Sequence, residues 1–276
     1  MDQHIQPCGY FLELSLDWIV LRASENVHRL LGESHVTLID EPLGRFVLSQ
    51  PLHDLRNLFS RLSGTTGIAR AYRICLTDDR QLVDIAFQQV DERVLLEIVP
   101  GPKEGLGEAF GTVGGLIDGL GRASGQALLD GGARRMRALT NFDRVTLLAG
   151  DTKATSSRTG VPFREGANAS LSDDFPLIAS DNAAEPVPIF PCEDDDSAAG
   201  MALLRAPSVA QAQELSERGF ASTMRVPMLL DGEAVGEFRL AHTKARQPNF
   251  EEHAAAELFA QLFAMRLEIA RLGAGI

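Results

Sequence analysis

Residues 4–32 read HIQPCGYFLELSLDWIVLRASENVHRLLG, and the periodicity of this stretch decides the fold. Between Tyr10 and Leu21 apolar and polar residues alternate for much of the run, which is the two-residue period of a half-buried strand. Ser24 to Leu31 then reads as the start of a short helix. The stretch predicts strand, turn, strand and helix. Farther on, Ala71–Leu76, Gln81–Gln89 and Arg93–Val99 are β-rich runs. Thr77–Arg80 and the pair Asp91, Glu92 separate them with residues that favour turns. Short strands around a helical middle predict a small α/β domain with an antiparallel sheet, ending near Pro100.

Pro100–Gly107, PGPKEGLG, breaks both periodicities and marks a domain boundary. Beyond it, Phe110, Val113, Leu116, Ile117 and Leu120, then Ala127, Leu128 and Met136, keep helical spacing. The intervening glycines predict a split into two helices. A second α/β unit follows. Arg144–Leu148 reads as a strand and Asp151–Pro191 as a long polar loop with little regular structure, with acidic Glu193–Asp196 as a solvated continuation. Asp231-Gly232 between Thr223–Leu229 and Ala234–His242 predicts a hairpin. Asn249 and Glu252 have the spacing of a capping box at the head of a closing helix. On that helix Leu258, Leu262, Met265, Ile269 and Leu272 recur at intervals of four and three, with Phe259, Phe263 and Leu267 on adjacent faces.

Composition narrows the function. With 38 acidic against 26 basic residues the formal charge is −12, which repels phosphate backbones and anionic membrane surfaces. Nucleic-acid and membrane partners are therefore not expected. No leader pattern opens the chain, and no apolar run approaches the roughly 20 residues that span a bilayer, so a cytoplasmic location is expected. Cys8, Cys75 and Cys192 form no CxxC pair, and the histidines lack metal-ligand spacing. No metal site is expected. The phosphate-cradling GxxxxGK[ST] and GxGxxG patterns and the nucleophile pattern GxSxG are missing, and no nucleophile stands beside a base. No catalytic residue is assigned, and the chain is not expected to be an enzyme.

The opening IQPCG and the following ASENVHRLLG resemble the IQPHG and "ASxN…LLG" segments of the phytochrome PAS domain. Phe142-Asp143-Arg144-Val145 resembles the FDRV strand of the phytochrome GAF domain, and Glu185-Pro186-Val187-Pro188 its EPVP turn. Leu204-Arg205-Ala206-Pro207 with Gly219-Phe220-Ala221-Ser222 resembles its LRAP to GxxAS segment. This resemblance to bacteriophytochrome photosensory modules covers nearly the whole chain. It implies an α+β architecture, a PAS-like domain over residues 1–103 and a GAF domain over 104–276, each a central antiparallel sheet flanked by helices.

The same resemblance implies a linear tetrapyrrole site in the GAF domain, and its attachment and cradle positions are largely replaced here. Only Met1–His4 precede Ile5 and none is cysteine; Cys8 stands at the motif's histidine, and Ala210 at the attachment cysteine that follows LRAP in plant-like members. Gln211 stands at the pyrrole-contacting histidine and Leu148 at the pocket tyrosine. Four residues remain as ligand-binding candidates by resemblance. They are Asp174 in the DIP-like Asp174-Phe175-Pro176, Arg205 at a propionate-binding position, Gln211, and His242 near the last pyrrole ring. Arg205 has two readings, pairing with a ligand carboxylate or with an acidic loop residue, and His242 is either a ligand contact or a hydrogen-bonded strand-end histidine. The expected function is a non-catalytic sensory or regulatory module in signal transduction with no cofactor. The alternative is a photoreceptor holding biliverdin or another tetrapyrrole non-covalently. A homodimer through the helices is expected, together with a signalling protein partner.

Overall fold

A computed structural model describes residues 3–61, 67–102, 107–161, 174–192 and 197–274. Strands β1 (His4–Ile5), β2 (Tyr10–Ser15) and β3 (Val20–Ser24) lead into helices α1 (His28–Leu31), α2 (His35–Leu38) and α3 (Ser49–Ser60). Strands β4 (Ala69–Cys75), β5 (Leu82–Val90) and β6 (Arg93–Pro100) follow. Then come α4 (Gly107–Asp118), α5 (Gly125–Thr140), β7 (Arg144–Ala149), β8 (Thr152–Ser157), β9 (Ile178–Ala179) and β10 (Val187–Phe190). The chain continues through α6 (Ser197–Gly200), α7 (Val209–Glu217), β11 (Ser222–Leu230), β12 (Glu233–His242) and α8 (Phe250–Ala274). Two compact units result: the first from residues 1–105, 183–209 and 247–250, the second from 106–182, 210–246 and 251–276.

In the first unit an antiparallel sheet has the order β1-β10-β3-β2-β6-β5-β4. Leu12, Leu14, Phe87, Val94, Leu96 and Ile98 project from one face and join Trp18 and the helical Leu30, Leu38, Leu52 and Leu55 in a single apolar core. The two-residue period sends Phe11, Glu13, Asp84, Leu95, Glu97 and Val99 to the opposite face, where they are buried as well. Leu203 and Leu204 lie against this back face, both fully enclosed. The Glu97 carboxylate accepts the Leu203 N–H at 2.9 Å and the Leu204 N–H at 2.6 Å. Gly9 permits the close fit, since a Cβ there would stand 2.6 Å from Leu204 Cδ1 and 2.7 Å from the Ile98 carbonyl oxygen.

The sheet is not confined to the stretch before the Pro100–Gly107 break. Strand β10 pairs with β3 through Ile189↔Ser24 and Phe190↔Ala23, and with β1 through His4↔Pro188 and Ile5↔Val187. Without it, the outer edge of β3 would leave backbone N–H and C=O groups without ladder partners. The reading of Asp151–Pro191 as a loop with little regular structure is corrected by β8, β9 and β10. Strand β8, TKATSS, escaped notice because it edges its sheet and buries only Ala154 and Ser156. Residues 103–106 of the expected linker, 162–173 of the loop and the acidic Glu193–Asp196 lie outside the described residues.

The second unit's sheet is also antiparallel, in the order β8-β7-β12-β11-β9. Asp231 (φ 51°) and Gly232 (φ 83°) both take positive φ at the β11–β12 turn, as the Asp-Gly signal requires. Phe238 of β12 meets Phe259 and Phe263 of α8 at ring distances of 5.9 and 5.5 Å. Arg246 anchors the approach to α8: its guanidinium donates to the Thr140 carbonyl at 3.1 Å and to both Glu252 oxygens at 3.0 Å.

Gly9→Ala is expected to lower the stability of the folded chain by about 1–3 kcal/mol, because the added methyl overpacks a closed contact. Urea unfolding checks this, and an unchanged midpoint would show that the back face can give way.

Candidate functional site

Residues 174–182 form a strap along strand β11, held mostly through the backbone. The Arg225 N–H donates to the Leu177 carbonyl at 2.8 Å, Ile178 and Ala179 pair with Met224 and Thr223, and the Asn182 N–H donates to the Ala221 carbonyl at 2.9 Å. Arg225 adds a side-chain tie, its Nη1 donating to the Phe175 carbonyl at 3.0 Å. Its Nε donates to Glu237 Oε1 at 2.6 Å, and Arg239 pairs with the other oxygen of the same carboxylate. Arg225 and Glu237 are both buried, and a buried charge keeps its ionised form only with such partners.

The strap brings two of the four expected residues together. Gln211, buried on α7, donates from Nε2 to the Asp174 carbonyl at 3.3 Å. Beside them Phe175, Ala179, Leu215, Phe220 and Ala241 form an apolar cluster. The result is a carbonyl acceptor and a carboxamide next to a buried apolar cluster.

His242 belongs to a separate set of bonds. Its Nδ1 lies 3.0 Å from the Lys244 backbone nitrogen and 3.1 Å from the Lys244 carbonyl oxygen, and its Nε2 lies 3.5 Å from Asp143 Oδ2. The same Asp143 oxygen accepts the Thr243 N–H at 3.1 Å and its hydroxyl at 2.8 Å, while Arg158 Nε lies 3.0 Å from Oδ1. Burial pushes the Asp143 carboxyl up, but the Thr243 bonds and the His242 and Arg158 charges outweigh it and hold the group below the ordinary carboxylate value.

Arg205 falls in the first unit, whereas Asp174, Gln211 and His242 fall in the second. It lines a cleft of about 560 Å³ with Gln3, His4, Glu185 and Ser208. Its carbonyl accepts from Gln6 Nε2 at 3.1 Å. All three cysteines are free thiols, and Cys8, Cys75 and Cys192 all belong to the first unit, so the second unit has no thiol at all. Leu148 is half-buried on β7, and Ala210 is exposed on α7. Among the described residues no cluster of histidine, cysteine and acidic side chains has metal-binding geometry, and no helix is long and apolar enough to cross a membrane.

Residues 1–101 match the family model described as a PAS fold. No curated protein matches the chain. Among solved structures, the chromophore-binding domain of an unusual bacteriophytochrome from R. palustris is 22% identical with a TM-score of 0.76, covering 98% of this chain and 96% of that one. The chromophore-binding domain of Stigmatella aurantiaca phytochrome P1 is 20% identical with a TM-score of 0.77, covering 96% of each chain. The photosensory core module of the Stigmatella aurantiaca phytochrome is 20% identical with a TM-score of 0.81, covering 97% of this chain and 58% of that one. In fold the chain is a phytochrome-like PAS–GAF module. The expectation of no cofactor is overturned by this likeness, since the solved domains that share the fold are chromophore-binding domains.

The ties of Asp143 and Arg225 were not foreseen from the sequence. The available signal was a charged residue inside a strand of apolar neighbours, Arg225 between Met224 and Val226, which in a buried strand calls for a counter-charge. Asp143→Asn is expected to cost about 1–3 kcal/mol at neutral pH through loss of charge-assisted bonds. A depressed carboxyl stabilises the fold above its unfolded value and loses that effect as the pH falls through the folded value. The gap between variant and wild type should therefore narrow in acid, and denaturation followed from pH 7 to pH 3 would refute the assignment if the gap stayed constant.

Proposed function

We propose that the chain is a non-catalytic sensory module of signal transduction, with a PAS domain over residues 1–103 and a GAF domain over 104–276, and that its GAF domain holds a tetrapyrrole without a covalent bond. The pairing of Gln211 with the Asp174 carbonyl against an apolar cluster carries this reading. A linear tetrapyrrole offers pyrrole N–H donors and lactam oxygens on a flat apolar frame, which suits that donor set. The carbonyl of Asp174 would accept from the pyrrole nitrogens, and the Gln211 amide would serve either partner. A bond of 3.3 Å is long enough to be exchanged for a ligand contact at small cost. His242, near the last ring by the same resemblance, is the further candidate within the second unit. Such a chromophore would supply light absorption; the protein's part is orientation and exclusion of water.

Attachment without a thioether is supported by Ala210 at the position of the attachment cysteine after LRAP and by the absence of any cysteine in the second unit's sequence. A non-catalytic role is supported by the structural engagement of the unit's acidic and basic side chains, Asp143 with Arg158 and Glu237 with Arg225. The charge of −12 disfavours nucleic acid and anionic lipid, and three free thiols suit a reducing cytoplasm.

Purified protein mixed with biliverdin is expected to gain red absorption, to keep its unmodified mass, and to show no zinc-dependent fluorescence after denaturation. A mass increment of one bilin would sink the non-covalent reading, and an unchanged biliverdin spectrum would sink tetrapyrrole binding. Gln211→Leu should weaken uptake roughly tenfold, the worth of one or two hydrogen bonds.

Assembly as a homodimer completes the proposal. On α8 the buried side carries Ala256, Phe259, Phe263 and Leu267, whereas Met265, Ile269 and Leu272 are 42%, 65% and 65% exposed, with Leu258 and Leu262 half-buried between. Such a stripe at near-heptad spacing suits a second copy of the same helix, with α4 as a further contact and a signalling protein as the downstream partner. Light scattering at tens of micromolar is expected to report a dimer, and Leu262→Glu with Ile269→Glu a folded monomer. A monomeric wild type would refute the assembly.

A further inference from the structure

We propose that Glu97 is a proton-operated latch that ties residues 203–204 to the back face of the first sheet and tightens as the pH falls through neutrality. Glu97 sits in the middle of β6, only 2% exposed. Its two carboxylate oxygens each take one backbone N–H, Leu203 on Oε1 at 2.9 Å and Leu204 on Oε2 at 2.6 Å. These donors belong to the segment that crosses the back face, which is further held by Gln88 Nε2 donating to the Met201 carbonyl at 3.0 Å. The Ala206 N–H also donates to the His4 carbonyl at 2.9 Å. The Gln6 N–H also donates to the Leu204 carbonyl at 2.9 Å, so the local opening proposed here exposes the Leu203 and Leu204 amides while β10 keeps its ladder with β3.

Few charges surround the latch. Arg70 on β4 is the cation whose field reaches it. Glu13, on the same face, is already paired with Arg22 at 3.2 Å and with Arg93. Asp84 accepts the Arg73 N–H at 2.8 Å. From the covering segment 197–209 the single charged side chain is Arg205, and from β1 the single titratable one is His4.

Burial pushes the Glu97 carboxyl from an ordinary 4.5 up to about 7, against the pull of the two N–H groups and of Arg70. When residues 203–204 lift away and water reaches the carboxyl, that burial cost disappears. The docked state therefore holds the proton more tightly than the open one, so proton uptake accompanies docking. The stabilisation is full below the open-state value and is lost as the pH rises through the docked value. After protonation the carbonyl oxygen still accepts an N–H, so the contact survives without a buried charge. Between pH 8 and pH 6 the docking equilibrium shifts by roughly tenfold for a docked value near 7.

Hydrogen exchange at the Leu203 and Leu204 amides, corrected for the intrinsic pH dependence of exchange, reads this opening directly. Protection is expected to be roughly tenfold greater at pH 6 than at pH 8, and Glu97→Gln is expected to abolish the difference. Equal protection at both pH values in the wild type would overturn the proposal. So would a pH response that survives in Glu97→Gln, which would move the switch to another group such as His4. If Glu97→Gln fails to fold, NMR titration of the wild-type Glu97 carboxyl decides: a midpoint near 7 supports the latch and one near 4.5 overturns it.

Discussion

The first unit depends on a constraint that few sheets face, charged side chains buried on the back face of a ladder that is covered on both sides. A sheet with one solvated face would leave Glu13, Arg22, Asp84 and Glu97 in water at no cost. Here all four are enclosed, and an enclosed charge without partners would cost several kcal/mol. The fold therefore has to bring partners to them. Arg22 and Arg93 serve Glu13, the Arg73 N–H serves Asp84, and two peptide N–H groups from distant residues serve Glu97. Gly9 and Leu204 close the surface around that last contact because no Cβ separates them. Retention of residues 203–204 by the first unit thus has a local chemical cause, alongside the strand pairing of β10 with β3.

The second unit solves a similar problem with one ion-pair set. Glu237 receives two arginines, and one of these, Arg225, also holds the Phe175 carbonyl. The strap that positions the Asp174 carbonyl is therefore fixed by a buried charge and a short ladder, which places a backbone acceptor with little freedom to move. Gln211 reaches the same carbonyl from α7. His242 answers instead to Asp143 and Lys244.

Much of the architecture was legible in the sequence because its signals are local. The alternation in YFLELS, the Asp231-Gly232 turn and the glycine-broken helical run each report a backbone preference that needs no distant partner. They place β2, the β11–β12 hairpin and the pair α4, α5. Motif order along the chain was enough to mark the phytochrome-like PAS–GAF organisation. Strand β10 was missed because four residues of sequence, VPIF, carry no usable period, and β8 because a polar edge strand looks like a loop.

What the sequence determined by itself was the alternation that forms β2, the turn of the β11–β12 hairpin and which chemistry is missing, such as any cysteine in the second unit. Tertiary structure alone decided who partners whom. Glu97 and Leu204 are 107 positions apart, Asp143 and Thr243 are 100 apart, and Gln211 and Asp174 are 37 apart. No local pattern encodes such pairings, because the energy that selects them is the cost of burying a charge or a carbonyl unpaired, and that cost exists only once the sheet and its covering segments have closed around it.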